Sequence, residues 1–317
     1  MSSTCSGASD DETHILTPPF DSDDADVIIR SSDQVDFPVH RFLLFRASNI
    51  IDAALPLPQP KSEPSDVAQG LPVVTLAEDR RTLEIMLRLC YPIDVVLPSD
   101  FIECAQSVVE AIRKYALTSA MLRLESRMSE MVISSSEPLR FYALACSYGL
   151  EDLARKASRR FLKHNALGNP YSSTLKCMTG GAYHRLLQYH WTCSRAACAV
   201  VNEDNVIAWA RSPNWSSSIL FHVHNGCTAA RWEQVGGLAI RDVVRYYLRS
   251  VRDVVASAPE AVNTFNPASL QEVLRLVSSC AYCASAIHDE MTKFILMLKS
   301  EMNKSIQQVS LVFEQQS

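Results

Sequence analysis

The stretch DVIIRSSDQVDFPVHRFLLFRASNII, residues 26–51, determines the fold expected for the front of this chain. Residues 27–29 are Val-Ile-Ile, apolar and β-branched, and a polar turn follows them, which predicts a strand. Residues 37–39, Phe-Pro-Val, suit a second short strand at a sheet edge, because proline cannot donate a ladder hydrogen bond. From His40 onward the apolar residues follow helical spacing. The stretch therefore predicts a hairpin that leads into a helix, the start of an α+β domain.

These residues and several further along the chain resemble a BTB (POZ) domain. The resemblance covers residues 24–132 and continues through a strand at 73–76, a helix at 82–91 that ends in tyrosine, and a later helix at 108–115. It implies a short mixed sheet capped by helices, which binds other proteins. The residues that match the family pattern, with structural and interaction roles, are Asp26, Val27, His40, Arg41, Leu44, Ser48, Tyr91, Lys114 and Tyr115.

Changes of composition divide the chain into four parts. Residues 1–23 are acidic, small and proline-containing, which predicts a disordered tail. The BTB-like part, 24–132, comes next. Residues 133–167 predict a helical hairpin, with a proline in the first turn of one helix and a glycine at its end. Residues 168–317 predict an all-helical C-terminal domain, so the fold expected is α+β followed by an all-α region. This last part resembles the helical extension of fungal, basidiomycete-type BTB proteins.

Apolar periodicity predicts the helices of the last part, at 183–201, 204–211, 237–258 and 267–310. Inside the BTB-like part, residues 56–72 contain several prolines, which exclude a helix and a strand ladder alike. We expect a surface loop there that tolerates changes of length. The alternative for this segment is a polyproline ligand for a partner domain.

Composition excludes several classes of protein. The 317 residues are 47% hydrophobic, enough for a packed core, and the formal net charge of −5 gives no attraction to nucleic acid. No apolar run approaches the ~20 residues that cross a bilayer. The N-terminus lacks the basic start and apolar stretch of a secretory signal. We therefore expect an intracellular protein, cytoplasmic or nuclear, and its ten cysteines are expected to be reduced thiols or metal ligands.

A pair of His-x-x-Cys motifs is the sharpest candidate for chemistry. The first is His190-Trp-Thr-Cys193, whose spacing puts imidazole and thiol on one helix face. The second is His224-Asn-Gly-Cys227, where Asn-Gly provides a turn that lets a loop wrap around a metal. Two histidines and two thiolates close a tetrahedral zinc shell, with no open position for catalysis. The sequence therefore predicts a structural zinc site.

The alternative is a small core without metal. All four tryptophans lie in the same part of the chain and would surround these histidines and cysteines. In the zinc hypothesis His222 is a substitute ligand and Cys198 a spare thiol. Cys280-Ala-Tyr-Cys283 lies within a continuous helical pattern, whereas redox cysteines sit at a helix N-terminus. This pair is therefore predicted to be buried core thiols.

Enzyme motifs are absent from the sequence. It contains no nucleophile elbow, P-loop, dinucleotide fingerprint or His-Glu-x-x-His, and no nucleophile accompanies Asp26 and His40. By the BTB resemblance we expect a scaffold, not an enzyme, that binds proteins by homo- or hetero-oligomerisation. The first alternative is a substrate adaptor of a cullin-type ubiquitin ligase, and the second is a transcription-associated BTB factor. The partners expected are proteins, including a second copy or a cullin scaffold, without membrane or nucleic acid.

Overall fold

The structure is a computed structural model in which the chain divides into two compact units, Met1–Glu130 and Met131–Ser317. The division lies next to the boundary at 132 predicted from sequence. The predicted hairpin at 133–167 belongs to the same unit as the residues after it. The residues that the structure describes are 17–47, 67–68, 70–168, 173–210, 218–229, 232–235, 238–261 and 267–313.

A four-stranded mixed sheet forms the centre of the first unit. Its spatial order is β2-β1-β4-β3, in which β1 is antiparallel to β2 and parallel to β4. The short β3 is antiparallel to β4 and pairs Val67 with Pro72. The prediction of a loop without a strand ladder over 56–72 is therefore wrong for its last residues, because Pro72 lacks an N–H group but its neighbours can still pair. The strands are β1 (Val27–Arg30), β2 (Asp36–Val39), β3 (Val67–Ala68) and β4 (Leu71–Thr75).

The predicted hairpin and helix at the front of the chain are confirmed. The three apolar residues of β1 are fully buried, and Ile29 pairs with Phe37 across the antiparallel ladder. Arg30 and Asp36 close the hairpin end with two hydrogen bonds of 2.6 and 2.8 Å. Ser31 exchanges hydrogen bonds with Val35 in the turn. Hydrophobic burial and turn chemistry thus specify the same register.

Helices complete the first unit. The first turn of α2 is capped by Asp79, whose carboxylate accepts the backbone N–H of Thr82 at 2.8 Å. Inward-facing Leu83, Met86 and Leu87 of this helix are completely buried. The helices are α1 (Arg41–Ala47), α2 (Arg80–Cys90), a 3₁₀ turn (Phe101–Glu103), α3 (Ala105–Lys114) and α4 (Thr118–Ser134), the last of which crosses the division between the units.

Residues that carry the BTB resemblance contact one another in the first unit. The backbone N–H of Arg41 donates to the Asp26 carboxylate at 2.6 Å, and that of His40 donates to the Tyr91 hydroxyl at 3.1 Å. These bonds satisfy the free N–H groups at the start of α1. Val27 and Leu44 are buried in the core. Ser48 lies outside the described residues.

Lys114 and Tyr115 hold one half-buried carboxylate. The ammonium of Lys114 and the hydroxyl of Tyr115 each lie 2.7 Å from a carboxylate oxygen of Glu78. Burial raises the pKa of Glu78, but these two hydrogen bonds outweigh it, and the net shift is downward from 4.5. The two residues therefore anchor the segment before α2 to the end of α3.

The prediction of a disordered tail over residues 1–23 is wrong for its last residues, from 17 onward. Phe20 is 1% exposed and packs edge-on against Phe37 and Tyr91, with ring centroids 5.2 and 6.0 Å away. Arg88 lies over the Phe20 ring and donates to the Pro18 carbonyl at 2.5 Å. Because the aromatic ring fills a place in the core, the folded unit includes residues before 24. Residues 1–16 lie outside the described part of the chain.

The second unit contains both helices and a hairpin. Its helices are α5 (Pro138–Tyr148), α6 (Glu151–Phe161), α7 (Gly180–Val200), α8 (Glu203–Ala210), α9 (Asp242–Ser257), α10 (Pro267–Val277) and α11 (Ala281–Gln307), with a 3₁₀ turn at Ser173–Cys177. The two antiparallel strands are β5 (Trp232–Val235) and β6 (Leu238–Arg241).

Two sequence predictions for this unit are wrong and one is confirmed. The region is not all-α, because residues 238–241 of the helix predicted at 237–258 form strand β6. The helix predicted at 267–310 is two helices, since it breaks between Val277 and Ala281. Gly149 ends α5 with a φ of 66°, the left-handed conformation predicted for it. In the described part of the chain, no helix combines the length and apolar character needed to cross a membrane.

The Glu78 contacts make the stability of the protein depend on pH. Because the folded-state pKa lies below 4.5, the carboxylate stabilises the fold above that pH and loses this effect as pH falls through the folded-state pKa. We expect Glu78→Gln to lower the free energy of unfolding by about 1–3 kcal/mol near neutral pH. The difference should shrink below pH 4.5 in urea unfolding curves.

The matched control is Glu130→Gln, which removes an exposed carboxylate paired with Arg127. An exposed pair contributes roughly 0–1 kcal/mol, so this variant should remain close to the wild type. A Glu78→Gln effect of constant size at every pH would contradict the proposed role of the charge.

Candidate metal centre

Four side chains in the second unit bring their ligand atoms together. They are His224, Cys227, Cys280 and Cys283, and their nitrogen and sulfur atoms all lie within 4.8 Å of one another. The first two belong to the loop 218–229 that follows α8, and the last two lie at the start of α11. The cluster therefore joins two segments that are distant in sequence, since His224 and Cys280 are 56 positions apart.

A tight turn places His224 beside Cys227. The backbone N–H of Cys227 donates to the His224 carbonyl at 3.2 Å, and Gly226 between them has a φ of 76°. Glycine adopts this left-handed conformation without the steric penalty of a side chain. The predicted Asn-Gly turn thus directs both ligand side chains toward one point.

A helix start places Cys280 beside Cys283. α10 ends at Val277, and α11 begins at Ala281 with Cys280 as its N-cap residue in extended conformation. One helical turn then brings Cys283 next to the cap. Both thiols are buried, as predicted, but the prediction that they lie inside a continuous helix is wrong. The pair occupies the helix N-terminus, where thiolates are stabilised.

Three of the six distances between ligand atoms in the cluster are close to those of a tetrahedral shell, and the other three are at most 4.8 Å. Nε2 of His224 lies 3.4 Å from the sulfurs of both Cys280 and Cys283, and the sulfurs of Cys227 and Cys283 are 3.6 Å apart. With Zn–S bonds of ~2.3 Å and Zn–N bonds of ~2.0 Å, tetrahedral angles give about 3.8 Å between sulfurs and about 3.5 Å between sulfur and nitrogen. A disulfide would need sulfurs ~2.05 Å apart. The arrangement can hold a metal ion.

The imidazole of His224 is already oriented for coordination. Its Nδ1 lies 3.1 Å from the backbone carbonyl of Asn225, which can only accept a hydrogen bond. Nδ1 therefore carries the proton, and the lone pair of Nε2 faces the sulfurs. Tyr282 packs against the ring edge-on at a centroid distance of 4.8 Å. A second-shell carbonyl of this kind commonly fixes the tautomer of a metal-bound histidine.

The pKa values of the two thiols at the start of α11 are shifted in opposite directions. The backbone amide of Cys283 is the largest influence on Cys280, and with the neighbouring ligand side chains it holds the pKa of Cys280 well below its ordinary value. Burial raises the pKa of Cys283, although Arg241 opposes this shift. Cys280 therefore loses its proton more readily than Cys283, which matters because a metal binds the thiolate form.

Further contacts tie the same two segments together. The hydroxyl of Thr228 donates to the carbonyl of Ser279 at 2.5 Å, and Ser218 donates to the Glu290 carboxylate on α11. A buried guanidinium, that of Arg241, reaches both Cys227 and Cys283. The loop 218–229 is thus held against the start of α11 by polar contacts on several sides of the cluster.

The other half of the predicted ligand set, His190 and Cys193, is not in the cluster. Both lie on α7 and are buried. Nε2 of His190 is 3.0 Å from the His164 carbonyl, and its ring packs against Phe161. Burial lowers the pKa of His190 and raises the pKa of Cys193 to about 11. The prediction that His190 and Cys193 are metal ligands is therefore wrong, and both are core residues of α7. For these two residues the metal-free alternative was the better prediction.

The remaining candidates also lie elsewhere. His222 is exposed and Cys198 is half-buried on α7, and neither belongs to the cluster. Of the tryptophans, Trp191 is 59% exposed, with Arg195 over its ring, so it is not part of an aromatic core. The side chains of the other three lie outside the described residues. The sequence signal for the two cluster members that the zinc hypothesis missed was the x₂ spacing of Cys280-x-x-Cys283.

Comparison with known proteins adds no relative to this picture. A scan against protein-family models finds no family that matches the chain, and a search of curated proteins finds no match either. The function of the chain is therefore inferred from the contacts of its described residues.

Proposed function

We propose that this protein is a zinc-stabilised scaffold that works by binding other proteins, with a BTB-like docking platform in its first unit. Support comes from the mixed sheet β2-β1-β4-β3 and from the hydrogen bonds among the residues of the resemblance. The observation that carries the docking role is the apolar surface of α1.

Two phenylalanines on α1 face the solvent. Leu44 of this helix is completely buried, whereas Phe42 and Phe45 are 68% and 48% exposed. They are three residues apart and therefore lie side by side on one helix face. Transfer of each ring out of water gains about 1.5–3 kcal/mol. Exposed aromatic pairs of this kind are typical of surfaces that bind another polypeptide.

The partner that we propose for this surface is a second copy of the chain or a related helix with an apolar face. In BTB domains the helices near the sheet form such homotypic or heterotypic contacts. The charged residues of α1, Arg41 and Arg46, would lie at the polar rim of the buried phenylalanines.

A cullin-type adaptor role is the alternative, and a groove in the first unit favours it. The groove has a volume of about 620 Å³ and lies between α2 and the segment 93–100. Val96 at its side is 86% exposed, while Asp94 pairs with Arg127. An apolar anchor from a scaffold protein could fill this groove, which is separate from the pair of phenylalanines.

The metal centre supplies rigidity and not catalysis in this proposal. Three sulfurs and one imidazole nitrogen are the donor set of a structural zinc site, and they fill all four tetrahedral positions. No position remains for water or substrate. Zinc would fix the loop 218–229 to the start of α11, because each segment provides two of the ligands.

Zinc binding can be tested by elemental analysis of the purified full-length protein. We expect about one zinc per chain in the wild type, and a large loss of zinc in Cys280→Ser, because a three-ligand shell holds the ion weakly. Cys193→Ser is the matched control and should keep its zinc, since this thiol belongs to the core of α7. A folded wild type without metal would refute the site. Loss of zinc in Cys193→Ser alone would restore the ligand set predicted from sequence.

The docking surface can be tested by sedimentation velocity over a range of concentrations. We expect the wild type to self-associate and the double variant Phe42→Glu/Phe45→Glu to have a dissociation constant raised at least about a hundredfold, since two buried rings contribute about 3–6 kcal/mol. Circular dichroism should show that the variant is folded.

Leu296→Glu is the control for adding a charge at an exposed apolar position, because Leu296 on α11 is 63% exposed. It should associate like the wild type. A wild type that stays monomeric would contradict the homotypic form of the proposal. Binding of an isolated cullin scaffold that is abolished by Val96→Glu, but not by Phe42→Glu/Phe45→Glu, would favour the adaptor alternative over the homotypic form.

A further inference from the structure

Arg241 is the largest side chain that is fully buried in the described part of the chain, with 1% exposure. It is the last residue of β6 and directly precedes α9. An arginine keeps its positive charge inside a protein. Burial of an uncompensated charge is strongly unfavourable, so a buried guanidinium requires partners that compensate its charge.

The partners of Arg241 are two carbonyls and two ligand sulfurs. Nη1 donates to the Ile219 carbonyl at 3.0 Å and to the Cys283 sulfur at 3.2 Å. Nη2 donates to the Ala229 carbonyl at 3.0 Å and lies 3.7 Å from the Cys227 sulfur. Among the described residues, none of the hydrogen-bond partners of this guanidinium is a carboxylate. Carbonyl oxygens satisfy its N–H groups but leave its charge unbalanced.

Charge counting connects Arg241 to the metal. Three thiolates outweigh the two positive charges of Zn²⁺ by one, and the imidazole is neutral, so the occupied shell carries one negative charge. We propose that Arg241 is the counter-ion and positioning residue of the metal centre, which neutralises the occupied shell and directs the sulfurs of Cys227 and Cys283. This inference rests on the proposed structural zinc.

Arg241 contacts both of the segments that contain the four cluster residues. Nη2 of the guanidinium contacts Cys227 in the loop 218–229, and Nη1 contacts Cys283 on α11. The guanidinium therefore bridges the same two segments as the metal. N–H groups that donate to thiolates withdraw electron density from sulfur, which changes the metal–sulfur bond and not only the packing around it.

The test uses the full-length protein loaded with zinc or with Co²⁺, in four forms: wild type, Arg241→Met, Arg241→Lys and the control Arg249→Met. Arg249 is an exposed arginine on α9, so its loss changes net charge equally without touching the cluster. Zinc affinity is measured by chelator competition. The sulfur-to-cobalt charge-transfer absorption reports the electron density on the thiolates.

We expect Arg241→Met to lower zinc affinity by about 10–100-fold and to move the charge-transfer band to lower energy. Arg241→Lys keeps the charge and should retain more of the affinity, and Arg249→Met should match the wild type. Wild-type affinity and spectrum in a folded Arg241→Met protein would overturn the role of Arg241 while leaving the zinc site intact. If Arg241→Met does not fold, Arg241→Gln keeps N–H donors without charge, and wild-type affinity in that variant would overturn the counter-ion. Failure of the wild type itself to bind zinc or cobalt would refute the zinc proposal, and with it this inference.

Discussion

The second unit depends on a contact between the loop 218–229 and the start of α11. The hairpin β5–β6 and helices α9 and α10 all lie between these segments in sequence. In the proposed zinc-bound form, the metal would link His224 to Cys280, which are 56 residues apart in sequence. By the chain-entropy reasoning used for disulfides, a cross-link over such a loop removes conformational freedom from the unfolded chain equivalent to about 4 kcal/mol. That amount is a large fraction of the stability of an ordinary domain.

Local signals made the front of the fold predictable. The β-branched run of β1, the turn after it and the helical spacing after His40 each act over a few residues, and all indicated the hairpin and helix that the structure contains. The break before α11 was missed because apolar residues continue at helical spacing across Ser278 and Ser279. The hairpin β5–β6 was missed although Gly236-Gly237, between Trp-Glu-Gln-Val and Leu-Ala-Ile, is a recognised hairpin signal.

The candidate metal site was only half predictable for a different reason. The sequence contains three pairs of metal-ligand spacing, beginning at His190, His224 and Cys280. Spacing shows that two side chains share one turn, but which pairs meet depends on tertiary packing. The pair on α7 was absorbed into the core, and the pair at the N-terminus of α11 was brought to the loop instead. The partner of the cluster, Arg241, has no sequence signal, since a buried arginine looks like any surface arginine before the fold is known.

Phe20 has a practical consequence for work with the first unit alone. Its ring covers Phe37 and Tyr91, and Arg88 secures the backbone before it. A chain shortened to begin at residue 24, where the family resemblance starts, would leave those two rings open to water. Such a fragment would be prone to aggregate through these exposed rings. Its elution from a size-exclusion column would therefore not report the oligomeric state of the intact protein.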